Sequence, residues 1–253
     1  ITAAPGSGKT TLAASELERS AAKALWYEVD AGDDDPAAFF HSMRKLAATL
    51  SSPRAARLPA LAPEGGADLA VFAQRFFSAF FALLPARAIW VIDNFQEATG
   101  PALALVLREA FSHIPRGVRV VVLSLVEPPP VLARLIANGV IRPIAGTALR
   151  FTRAESDALV LSKLDASAEL LAELHDKSAG WAAGLVLMID RMRRARTTPA
   201  LPSLEESEAA VFDYFAEEIL AGCSADEQRT LMLTSALPRV TPPRHPSHVQ
   251  VHR

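Results

Sequence analysis

The chain has 253 residues, with 26 Lys and Arg against 28 Asp and Glu, and a formal net charge of −2. A balance this even lacks the concentrated basic surface of a nucleic-acid binder, and the lone cysteine, Cys223, excludes an internal disulfide and suits a reducing cytoplasm. Half of the residues are hydrophobic, enough for one large domain or two to three small ones, yet the longest apolar runs, Phe76–Ala86 and Ala179–Ile189, fall well short of the ~20 residues of a membrane-spanning helix.

The chain opens on Ala3-Ala4-Pro5-Gly6-Ser7-Gly8-Lys9-Thr10, followed by Thr11. This matches the pattern G-x-x-x-x-G-K-[ST] everywhere except its first place, where Ala3 stands for Gly. Gly6 and Gly8 let the backbone turn its N–H groups inward as a nest for anionic oxygens. Lys9 supplies a point charge for β- and γ-phosphates, and Thr10 a hydroxyl for Mg²⁺. Pro5, Gly6, Ser7, Gly8, Lys9, Thr10 and Thr11 are therefore the expected nucleotide-binding residues. The alternative is a glycine-rich turn that binds nothing. Against it stands the run Leu12–Leu17, whose helical propensity supplies the helix that such a loop needs.

Only Ile1 and Thr2 precede the loop, against about five or six residues for an ordinary strand. The reading is a fragment cut inside its first strand. That predicts a sheet incomplete beside the Asp93 strand or its neighbour, with unpaired backbone groups at about 1–3 kcal/mol each, and poor folding of residues 1–253 alone.

Beyond the loop, strand-like and helix-like runs alternate. Leu25–Val29 reads as a strand. Asp35-Pro36 starts a helix, with Asp as its cap and Pro at its first position. Ser51–Gly66 is a loop, Asp68–Leu84 an apolar helix and Ala88–Ile92 the clearest buried strand. Pro101–His113 is helical, Val118–Leu123 a strand, Val131–Ala137 a short helix and Val140–Ile144 a short strand. Such alternation implies crossover units and a parallel sheet, an α/β fold.

Asp93 ends the apolar strand Ile89–Ile92, the place for a metal-holding acid, so Thr10 and Asp93 are the expected Mg²⁺ ligands; by itself it is also an ordinary loop-starting Asp. Asn94 and Glu97 are the catalytic candidates. Asn94 can orient water but cannot take a proton, and Glu97 is the nearest further acid or a solvated loop residue. Ser124 ends the next strand, either to sense a γ-phosphate or to start a turn.

After Phe151 the pattern becomes helical. Thr152-Arg153-Ala154-Glu155, Ser203-Leu204-Glu205-Glu206 and Ser224-Ala225-Asp226-Glu227 are capping boxes. Thr197–Pro202 reads as a linker, and Arg191, Arg193, Arg194 and Arg196 as the cationic end of a helix. The last stretch, Pro238–Arg253, loses all periodicity, and its His245, His248 and His252 match no metal-ligand spacing.

Taken together, these segments resemble the signal-transduction ATPases with numerous domains, in particular the MalT-like branch of LuxR-type transcriptional regulators. The resemblance rests on Ala4–Leu12, Trp26–Asp30, Asp33–Phe39, Val91–Glu97, Glu127–Pro130 with Ala133–Leu135, Leu149–Glu155 and Gly180–Leu185. It implies an AAA-like P-loop NTPase sheet at 1–151 with a truncated first strand, a small helical domain at 152–200, the first helices of a winged helix at 201–237 and an irregular tail at 238–253. It implies ATP or ADP with Mg²⁺ as cofactors. It also implies self-association in the ATP state, response to an inducer, and DNA contact only through a module outside this chain. The Gly180-Trp181 segment would fall near the nucleotide, as a tight helix junction with a core Trp or as a ligand contact. Two departures matter: Leu125 stands where the family leads one to expect Arg, and Asn94 replaces a second acid. Both favour a slow timer or a nucleotide-dependent scaffold over fast turnover. A metabolic kinase would need a second cationic substrate pocket, which the segment after 151 does not suggest.

Overall fold

The central strand of the sheet, β2 (Ile89–Asp93), is buried at all five positions. It pairs in parallel with β1 (Ala24–Glu28) on one side and β3 (Arg119–Val122) on the other, in the order β1-β2-β3. The register aligns Glu28 with Asp93 and Ile92 with Val122. The structure, a computed structural model, describes residues 1–196 apart from 21, 51, 62–67 and 99. The expected winged-helix start, the linker, the tail with its histidines, the capping boxes at Ser203 and Ser224, and Cys223 lie outside the described residues.

Side chains alternate along a strand, so β2 feeds two cores. Trp90 and Ile92 enter the larger one, Ile89 and Val91 the smaller. A strand buried on both faces needs helices on both faces. Ala13 and Leu17 of α1 (Lys9–Ser20) cover the smaller core. The larger core is covered by α2 (Pro36–Ala48), α3 (Leu69–Phe81) and α4 (Pro101–Ser112). On α3 the phenylalanines recur at helical spacing: Phe72, Phe76 and Phe80 on one line, Phe77 and Phe81 beside it. Phe77 and Phe80 meet the Trp90 ring at centroid distances of 5.7 and 5.4 Å. The helix starts follow their sequence signals. The carboxylates of Asp35 and Asp68 accept from the N–H groups of Ala37 and Ala70, and Pro36 and Pro101 occupy first-turn positions.

Ile1–Ala3 run along the outer edge of β3. Ser124 N–H donates to Ile1 O at 3.0 Å, Ala3 N–H to Ser124 O at 3.2 Å, and Thr2 N–H to Ile144 O at 2.9 Å. The chain start therefore lies beside the neighbour of the Asp93 strand, with β3 interposed, and its pairing is limited to isolated bridges from Thr2 to Ser124 and Ala145.

The strand expected over Val140–Ile144 does not form. The N–H groups of Val140 and Ile141 both turn back to Leu135 O, closing the end of α5 (Ala133–Ala137), and Pro143 has no N–H to offer a ladder. Only Ile144 O and Ala145 reach Thr2.

From Arg153 onward the described elements are helices: α6 (Arg153–Leu161), α7 (Ala168–Ser178) and α8 (Ala182–Arg196). They enclose a separate core of Val160, Leu164, Leu174, Leu185, Met188 and Ile189. The Thr152–Glu155 capping box is made in both directions: Thr152 Oγ1 accepts from Glu155 N–H and the Glu155 carboxylate from Thr152 N–H. The arginine run falls on the last turns of α8. Among the described residues, no helix is long and apolar enough to cross a membrane.

Candidate functional site

The turn between Ala3 and α1 has the backbone that a nest requires. Gly6 and Gly8 sit at φ of 66° and 85°, in the left-handed region that side chains disfavour. Leu12 N–H donates to Gly8 O at 2.8 Å, which joins the turn to α1. The N–H groups of Gly6, Gly8, Lys9, Thr10 and Thr11 have no partner among the described residues. These are the orphan donors of a helix start, at the positive end of its dipole. The Ser7 hydroxyl is buried and likewise without a partner.

The loop reaches across β3 to the end of β2. Thr10 Oγ1 donates to Asp93 Oδ2 at 3.1 Å, across 83 residues of sequence. Asp93 is only 7% exposed, and its other oxygen accepts from Asn94 N–H at 2.9 Å. Lys9 Nζ donates to Ala3 O at 2.7 Å and Ala4 O at 3.1 Å. Burial holds the Lys9 ammonium below its ordinary pKa, and the charge of Asp93 partly offsets that. A phosphate brought beside Lys9 would act in the same direction as Asp93.

Thr10 and Asp93 offer one hydroxyl and one carboxylate. No group of three or more His, Cys, Asp or Glu side chains suited to a metal occurs among the described residues. That donor set fits Mg²⁺, which takes one or two protein oxygens and completes its octahedron with water and substrate phosphate. It does not fit a caged metal.

The remaining expected residues separate. Ser124 is buried, and its Oγ accepts from Val126 N–H at 3.1 Å, so its hydroxyl caps a turn. Thr11 is exposed on the first turn of α1. Pro5 contributes its carbonyl, which accepts from the indole N–H of Trp181 at 3.2 Å. Glu97 is exposed on a 3-10 turn and accepts from the Gln96 amide at 3.0 Å, while Gln96 Oε1 accepts from Leu125 N–H. Asn94 adopts the left-handed conformation, at φ 55°, and its Nδ2 donates to Glu28 Oε1 at 3.0 Å.

Two neighbours of the Thr10–Asp93 pair complete the picture, the first missed by the sequence reading and the second expected near the nucleotide from the resemblance, though not as a contact to the loop backbone. One is Glu28, whose only signal was its place at the end of a strand. The other is the start of α8, which docks on the loop. There Ala183 N–H donates to Gly6 O at 3.0 Å beside the Trp181 bond. Trp181 is half-buried, so it is less a core residue than a latch on the loop backbone. Between the loop and the helices lies a cavity of about 610 Å³, lined by Ala3, Ala4, Ser7, Arg150, Lys177 and Trp181 among others.

Neither a scan of protein-family models nor a comparison with curated proteins finds a match to this chain.

Proposed function

We propose that the chain is a nucleotide-operated switch: it binds Mg²⁺ with ATP or ADP at the Gly6–Thr10 loop and passes the state of that site to α6–α8. The observation that carries the reading is the Thr10–Asp93 hydrogen bond of 3.1 Å, which brings the two expected metal ligands together from separate elements. The orphan N–H groups, the unpartnered Ser7 hydroxyl and the ammonium of Lys9 supply donors for phosphate oxygens. The adjoining cavity has the volume of a small-ligand site. The interposition of β3 between the loop and the Asp93 strand supports the AAA-like reading of the sheet. On that reading the chain is the ATPase core of a MalT-like regulator, in which ATP and an inducer favour self-association.

A switch needs only different affinities in two states. A nucleotide-dependent scaffold without turnover is the second reading, favoured by the amide at Asn94, which accepts no proton.

The test is thermal unfolding with and without Mg-ATP. At 100 times its dissociation constant the nucleotide adds about 2.7 kcal/mol of stability. Lys9→Ala removes that gain while leaving the unliganded protein folded. A shift of equal size in the variant would refute the assignment.

A further inference from the structure

Asn94 can orient water but accepts no proton, so a general base at this site has to be an acid elsewhere. We infer that Glu28, at the end of β1, is the general base for ATP hydrolysis at this site, and that Asn94 is its positioning residue. The inference rests on the nucleotide reading above and names the group that would perform its chemistry.

The register places Glu28 directly across from Asp93, on the neighbouring strand and at the same end of the sheet. Asp93 in turn holds Thr10. Phosphate loop, metal-ligand pair and Glu28 thus share one edge of the fold. Glu28 is exposed, so its carboxylate is open to water. It is nevertheless held, because Asn94 Nδ2 donates to Glu28 Oε1 at 3.0 Å. Asn tolerates the left-handed backbone that turns its amide toward β1, where most residues would be strained. One carboxylate oxygen is occupied by that amide, and the other remains for a water proton.

All but one of the other acids nearby are committed or misplaced. Asp93 has one oxygen on Thr10 and the other on Asn94 N–H. Asp30 caps the next turn through Gly32 N–H at 2.7 Å. Asp33 is buried, accepting from the Tyr27 hydroxyl and from Asp30 N–H. Glu97 is tied to Gln96, whose own anchor is Leu125 beyond β3. Glu127 lines the cavity near Ala4 and Ser7 and is the competing acid that the variants below separate from Glu28.

In the step itself, the water oxygen bonds to the γ-phosphorus as the bond from that phosphorus to the β,γ-bridging oxygen breaks. The water proton passes to the free Glu28 oxygen and from there to solvent. The products are ADP and inorganic phosphate. Asn94 keeps the carboxylate aimed and contributes no proton.

The experiment uses the full chain with Mg-ATP. Glu28→Gln is isosteric and keeps an oxygen for the Asn94 amide. It is expected to lower phosphate release by about 10²-fold or more, the range for loss of a general base, while ATP affinity changes by less than about threefold. Nucleotide recovered from the protein after gel filtration is then ATP in the variant and ADP in the wild type. Glu97→Gln keeps turnover. Asn94→Ala lowers kcat about tenfold with KM unchanged, as expected when only transition-state positioning is lost. Without nucleotide, the Asn94 side-chain amide resonances shift in Glu28→Gln but not in Glu97→Gln.

Full turnover in Glu28→Gln overturns the inference, as does loss of turnover in Glu97→Gln or Glu127→Gln instead. Tight ATP binding by a wild type that releases no phosphate also overturns it and favours the scaffold. Absence of ATP binding by the wild type is a different failure, which removes the nucleotide reading and this inference with it.

Discussion

The sheet-containing part and the α6–α8 part are held together by unlike means. In the first, Trp90, Phe39, Phe40, Phe76, Phe77 and Phe80 are all fully buried in one aromatic core that joins β2 to α2 and α3. In the second, the buried core is Val160, Leu164, Leu174, Leu185, Met188 and Ile189, without a fully buried aromatic ring. A unit of roughly 40 residues buries too little surface to be secure by itself. It leans instead on the turn that precedes α1, through Trp181 to Pro5 and Ala183 to Gly6, and on Phe151 N–H to Gly180 O at 2.8 Å. The contrast teaches where stability and responsiveness reside. The aromatic core keeps Asp93 and Glu28 in register. The weakly cored helices are attached to the carbonyls of Pro5 and Gly6, at the turn where the proposed nucleotide would bind. Segments that move are drawn from the less stable part of a fold.

The largest effect is expected in the aromatic core. Trp90→Ala leaves a cavity among Phe77, Phe80 and Phe81 and should cost about 3–5 kcal/mol, read as a lower urea midpoint. Trp90→Phe sharpens the point. The Trp90 indole N–H is buried without a partner, so removing it offsets part of the lost volume and the cost should fall well below that of Ala. Equal losses in the two variants would show that the packing around Trp90 is not what secures the sheet.

Next comes the hinge of the weaker part. Gly180 has φ of 72°, and a Cβ there would stand 2.5 Å from Phe151 O. Gly180→Ala therefore adds the left-handed penalty of about 1–2 kcal/mol to a steric clash with backbone. The damage should be local. Hydrogen exchange would rise in α6–α8 while β1–β3 stay protected. Uniform loss of protection across both parts would mean that they unfold as one cooperative unit, and the contrast drawn above would fail.

How much of this was legible beforehand depends on the range of the signal. The glycines of the loop, Thr10, the acid ending β2, the Asp35 and Asp68 caps and the Thr152–Glu155 box are all specified within a few residues, because backbone conformation and capping are local chemistry. The Val140–Ile144 strand was misread because its apolar run carries strand propensity, while the helix end at Leu135 O claims its donors. Glu28 and Asn94 meet only once register and the left-handed turn are known. The bond from Trp181 to Pro5 spans 176 residues, and no periodicity announces it.

The smallest effect probes that last bond. Trp181→Phe keeps an aromatic ring beside Gly184 but removes the donor to Pro5 O. A single hydrogen bond contributes about 0.5–1.5 kcal/mol net, so global stability should fall by about that much. The more telling readout is coupling. With Mg-ATP bound, wild-type α8 should show altered exchange relative to the unliganded protein, because its first turn holds the loop. In Trp181→Phe the nucleotide-dependent change in α8 should shrink, although Ala183 N–H still reaches Gly6 O. A nucleotide response in α8 as large as that of the wild type would mean that the signal enters the helices through Gly6 and Ala183 alone. The indole would then be packing, and the latch would consist of backbone.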